Sequence, residues 1–157
     1  MDKPRIIAQT RTLDFGAGFY TAPNEEQAWE FADKVVLRAV KFGGVAGVAT
    51  VSEYDFDMEI AEKNLKILCF DRPDKEWLKF VADNRLGKLP KPQYDIVCGP
   101  VANDNVYAVI NLFEDGTISE ETAINELKIK KLFSQILLRN DKALSLLKFV
   151  KSRQARK

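Results

Sequence analysis

The stretch Asp14-Phe15-Gly16-Ala17-Gly18-Phe19-Tyr20-Thr21 constrains this chain more than any other. Two glycines one residue apart let the backbone take a positive φ and let a second backbone or a ligand come close. Phe19 to Thr21, aromatic and β-branched, reads as a short strand. Pro23 follows, and Asn24 is placed as an N-cap with Gln27 at the capping-box position. Such a bend is either a tight turn joining two elements or the rim of a site. The glycines alone do not decide between them.

The rest of the chain supplies the frame. Arg5 to Gln9 reads as a short strand ahead of the bend. Behind it, Ala28, Phe31, Ala32, Val35, Ala39 and Phe42 recur at helical spacing, and Gly43-Gly44 stops the helix. Strands are expected over Val45–Tyr54, Leu65–Phe70, Tyr94–Cys98 (broken by Gly99-Pro100), Leu132–Leu138 and Lys148–Arg153. Helices are expected after Asp74, carrying Trp77, Leu78, Val81 and Ala82, and over Asp104–Phe113, with Val106, Val109, Ile110 and Phe113 on one face. Two shorter ones follow Ser119 and Asn140. The two prolines between Lys88 and Gln93 make that segment a loop. Strands alternate irregularly with helices, which points to an α+β fold rather than a doubly wound one.

At 157 residues the chain is read as one domain with a core that needs no metal or disulfide. Its net charge of +1 favours neither nucleic acid nor membrane, and the basic Lys148–Lys157 tail reads as a solvated terminus. No apolar run reaches membrane-spanning length and no signal-peptide core precedes the fold, so the cytoplasm is the default location. There is no histidine, which excludes Ser-His-Asp and Cys-His catalysis and the usual zinc sites; no metal is expected. Cys69 and Cys98 each lie within an apolar run and read as buried free thiols.

No third glycine follows Gly16 and Gly18 at the dinucleotide spacing, and no phosphate-loop Gly-Lys-Ser/Thr occurs. Glu25-Glu26 and Glu120-Glu121 fall in first turns of helices, where carboxylates favour the helix dipole. Trp77 and Phe80 are read as core. The segment Tyr94–Tyr107 holds Asn103, Asp104 and Asn105 just before a helix. One of them suffices as a cap, which leaves the others either as plain polar surface or as ligand contacts.

Gly-x-Gly-aromatic-Tyr ahead of a helix with a polar opening resembles the nicotinamide-binding strand of ADP-ribosyltransferases of the diphtheria-toxin and poly-ADP-ribose-polymerase type. The segments TLDFGAGFYTA, QAWEFA, EWLKFVADNR, YDIVCGPVANDNVY and SQILLRNDKALSLLKFV, in this order, resemble a small bacterial family of uncharacterised domains in that superfamily. The resemblance implies a central, mostly antiparallel split sheet with peripheral helices. It also implies NAD as substrate, with ADP-ribose transferred to a macromolecular acceptor. A role as the toxin of a toxin–antitoxin pair would make an antitoxin the partner. Tyr20 would stack on nicotinamide, with Gly16, Gly18, Phe19, Thr21 and Asn103 around the dinucleotide, and Gln135 or Asp104 would orient the ribose. Family members usually begin with a strand reading roughly Tyr-His-Gly-Ser, whereas this sequence opens Met1-Asp2-Lys3-Pro4. That strand is either lost upstream or absent by nature, and in the second case the domain is a binding module without turnover.

Overall fold

Two short apolar strands, β4 (Ile96–Pro100) and β5 (Ser134–Leu138), form the middle of a four-stranded sheet. The computed structural model describes residues 4–6, 15–45, 47–88, 93–100, 104–128 and 134–155. Flanking strands are β1 (Phe19–Thr21), antiparallel to β5, and β3 (Ile67–Cys69), parallel to β4; the order is β1-β5-β4-β3. The β4–β5 pair is antiparallel, so the sheet is mostly antiparallel. A second, two-stranded antiparallel sheet joins β2 (Thr50–Asp55) to β6 (Lys148–Gln154), with a register shift between Glu53 and Tyr54. Six helices complete an α+β fold among the described residues.

Alternation along the central strands makes two cores. Val97 and Leu137 point to one face, where α3 (Lys75–Arg85), α4 (Asp104–Glu114) and α5 (Glu120–Lys128) bring Trp77, Leu78, Val81, Val106, Ile110 and Leu127. Ile96 and Leu138 point to the other, against Ala61 of α2 (Met58–Asn64) and Ala143 and Leu144 of α6 (Asp141–Leu144). Both faces being covered explains why these strands are nearly continuous apolar runs. Each expected cap is made: Asn24, Asp74 and Asn140 accept from the N–H groups of Gln27, Trp77 and Ala143. Gln27 does not close a capping box; its side chain donates to the Ser134 carbonyl at 2.7 Å and ties the first helix, α1 (Glu25–Lys41), to β5.

Several expectations change. Gly99-Pro100 does not break its strand, which runs through both residues. At Gly99 a Cβ would sit tightly against Phe70 at 3.1 Å and Phe15 at 3.3 Å. Pro100 is the last strand residue, and its carbonyl accepts from the buried Trp77 indole at 3.1 Å. The Val45–Tyr54 strand starts only at Thr50, opposite Gln154, and one more backbone bond joins Ala155 to Ala49. Helix α2 was not expected; its sequence, MEIAEKN, buries only Ala61 and so shows no apolar period. Arg5 and Ile6 are not in a strand, and Ile7 to Gln9 lie outside the described residues, as does most of the Lys88–Gln93 loop. The tail from Lys148 pairs as β6 yet keeps most of its side chains exposed.

Helix α1 repeats its apolar residues as expected but buries none of them. Phe31 is 59% exposed and Phe42, at its C-terminal cap, 83%. The helix packs against β2, its Ala28, Ala32 and Val36 are half-buried, and Arg153 of β6 pairs with Glu25 at 2.5 Å while its guanidinium lies over the Trp29 ring. Periodicity marks one side of this helix as apolar. It does not say that the chain covers it.

Candidate functional site

Tyr20 sits opposite Leu137 in the β1–β5 register, on the face of the first core. Two residues along β5 on that face is Gln135, and two residues the other way is Arg139. The structure therefore places Tyr20 and Gln135 on one side of one sheet. Gln135 is nine-tenths buried, and among the described residues its Nε2 has no hydrogen-bond partner. A buried donor left unpaired is uncommon in a native fold and is a usual mark of a functional or strained position.

The glycine bend closes on itself. Gly16 has φ 88°, a left-handed value suited to glycine, and its carbonyl accepts from the Tyr20 hydroxyl at 2.6 Å. The same hydroxyl accepts from the N–H of Phe15, whose ring is fully buried. Both glycine faces are filled from within the protein. A Cβ on Gly16 would lie 2.8 Å from Nη2 of Arg139 and 3.0 Å from Oδ1 of Asn84, and one on Gly18 would meet the Leu138 carbonyl at 2.7 Å and clash with Leu137. The bend is shaped for β5 and α3 as they stand.

The other expected site residues divide. Phe19 and Thr21 lie on the opposite face from Tyr20: Phe19 packs in the second core with its ring edge-on to Tyr54, and the Thr21 hydroxyl donates to the Ile136 carbonyl. Asp104 is the first residue of α4, four positions beyond the end of β4, and β4 ends with Pro100 beside Ser134. Asn103 lies outside the described residues, as does the side chain of Asp104.

Sequence reasoning missed Arg139 and Asn84. Arg139 is half-buried, its Nε has no hydrogen-bond partner, and no carboxylate pairs with it among the described residues. Burial lowers its pKa below the ordinary arginine value, and the neighbouring Tyr20 phenol opposes that shift. The signal was present: residues 135, 137 and 139 share a face wherever 137 is a strand residue. Asn84 is buried and donates to the Phe80 carbonyl one turn back in α3.

Surface hollows lie elsewhere. A groove of about 460 Å³ runs between Trp29, Asp33 and Arg153, and one of about 280 Å³ lies between Lys75, Glu121 and Lys128. Neither is lined by Tyr20, Gln135 or the glycines. Among the described residues there is no cluster of acidic or thiol side chains fit for a metal, and no helix is long and apolar enough to cross a membrane.

Fold and site together define an α+β domain with two small sheets and an aromatic and a carboxamide side chain on one sheet face. Residues 1–149 match the model of a family described as "Protein of unknown function (DUF3990)", and the chain belongs to that family. No curated protein and no solved structure matched the chain.

Proposed function

We propose that this chain is an ADP-ribosyltransferase-like protein that cleaves NAD and transfers ADP-ribose to a macromolecular acceptor, as the toxin of a toxin–antitoxin pair. The observation that carries the reading is the shared sheet face of Tyr20 and Gln135, with the Gln135 amide nine-tenths buried and lacking an acceptor among the described residues. A ribose hydroxyl would satisfy that donor, and the Tyr20 ring would stack on nicotinamide. In the reaction the bond from the ribose anomeric carbon to the nicotinamide nitrogen breaks, and its electron pair leaves with neutral nicotinamide. The oxocarbenium-like ribose is then attacked by an acceptor oxygen or nitrogen, which gives up its proton. Gln135 orients the ribose but brings no negative charge to stabilise that cation; Asp104 is the carboxylate proposed for that task.

The test is nicotinamide release from NAD, measured on the chain alone and on a version extended by a Tyr-His-Gly-Ser strand. Release from the extended form, lost in Tyr20→Ala, supports the enzyme; no release from it removes the enzyme reading. One observation favours a second reading, a binding module of the same fold without turnover. The Tyr20 hydroxyl is spent on Gly16, and the glycine faces are filled by Arg139, Asn84 and Leu137. That reading expects no heat of NAD binding in calorimetry with either form.

A further inference from the structure

β3 is an edge strand, and its last residue, Cys69, is the register partner of Cys98 on β4. Neighbouring strands run about 4.8 Å apart. Disulfides bridge Cα separations of roughly 4.4–6.8 Å, so two cysteines in register are within bridging range without strand movement. They are not equivalent, and neither is the fully buried thiol expected from its apolar run. Cys69 is exposed, because an edge strand leaves one side open, while Cys98 is half-buried against the second core. Burial first, and then the neighbouring Cys69 thiol, push the Cys98 thiol up, so Cys98 keeps its proton.

We propose that Cys69 and Cys98 are a redox modification site, closing reversibly to an intrachain disulfide on attack by a hydroperoxide. Cys69 is the sulfur an oxidant reaches. As thiolate it attacks one peroxide oxygen, the O–O bond breaks, and Cys69 becomes a sulfenic acid while the leaving oxygen departs protonated, as water or an alcohol. The Cys98 sulfur then attacks the Cys69 sulfur. The S–S bond forms, the S–O bond breaks, and the hydroxyl leaves as water with the Cys98 proton. Two thiols lose two electrons in total, and one peroxide gains them. A dithiol reductant reverses the bond by exchange. The closed loop contains α3, so the bond staples the β3–α3–β4 unit that carries Trp77 and Asn84.

The test treats the purified full chain with hydrogen peroxide, alkylates the remaining thiols in denaturant, and counts them by intact mass, with and without dithiothreitol. Both thiols are expected to disappear together in a monomeric chain, to return with dithiothreitol, and to leave the oxidised form melting several degrees higher. Cys98→Ser should leave a Cys69 sulfenic acid that dimedone traps, and Cys69→Ser should leave Cys98 alkylatable. Oxidation of Cys69 alone in the unsubstituted chain, linkage only between chains, or no loss of either thiol overturns the proposal.

Discussion

The hydroxyl of Tyr20 donates a 2.6 Å hydrogen bond to the carbonyl of Gly16, four residues earlier, so the strand residue closes the bend that precedes it. Tyr20→Phe keeps the ring against the first core and removes this bond together with the one accepted from Phe15. Two part-buried backbone groups lose a partner, and the expected cost is about 1–2 kcal/mol. Urea unfolding monitored by far-ultraviolet circular dichroism measures it; an unchanged midpoint would show that the bend holds without the hydroxyl.

Gly16 and Gly18 differ in what surrounds them, and alanine should separate them. At Gly16 the nearest neighbour of an added Cβ is the tip of the flexible Arg139 side chain, so the main cost is positive-φ strain of about 1–2 kcal/mol. At Gly18 the neighbours are the Leu138 backbone carbonyl and the packed Leu137 side chain, neither free to withdraw without parting β1 from β5. Gly18→Ala is therefore expected to cost roughly 3 kcal/mol or more, in the range of severe overpacking. A thermal melt of both variants checks the order, and Gly18→Ala should melt lower.

What the sequence made legible were the local signals that need no partner. Asn24, Asp74 and Asn140 cap their helices, and Val106, Val109 and Ile110 turn one face of α4 to the core. Misreadings arose where a distant residue decides. Gly99-Pro100 looks like a strand breaker until Phe15 and Phe70 are seen to need the space over Gly99 and Trp77 to need the Pro100 carbonyl. Cys69 looks buried until its strand is found at a sheet edge. Tyr20 and Gln135 are separable as candidates in the sequence, but only the β1–β5 register brings them to one face. Arg139 follows from the alternation along β5, but its approach to Gly16 and Tyr20 comes only with the folded bend.

Asp95 links three segments. Its carboxylate accepts from the N–H of Lys66 at 2.9 Å and from the Asn140 amide at 2.7 Å, while its carbonyl accepts from the N–H of Arg139. The Lys66 bond first, and the Asn140 bond second, hold its pKa below the ordinary 3.8. A depressed carboxylate contributes stability that is present above the unfolded pKa and is lost as pH falls through the folded one. Asp95→Asn removes the charge and its acid dependence. The two proteins should differ in unfolding midpoint near neutrality and converge as pH drops below about 4. A gap that persists unchanged in acid would mean that the carboxylate's charge is not what stabilises this junction.

Gln135 offers the sharpest separation of stability from function. Its Nε2 is desolvated and lacks an acceptor among the described residues, whereas a methionine of similar length fills the same space without that deficit. Gln135→Met is therefore expected to stabilise the fold by about 1 kcal/mol, an unusual sign for a change at a buried polar residue on a central strand. If the proposed reaction is correct, the same variant loses nicotinamide release, because the ribose loses its amide partner while Tyr20 and the glycine bend are untouched. Stability gained with activity lost is the pattern of a residue kept for its chemistry. A Gln135→Met protein that is less stable would instead show that the amide holds the sheet together, and it would remove the buried donor from the case for a site.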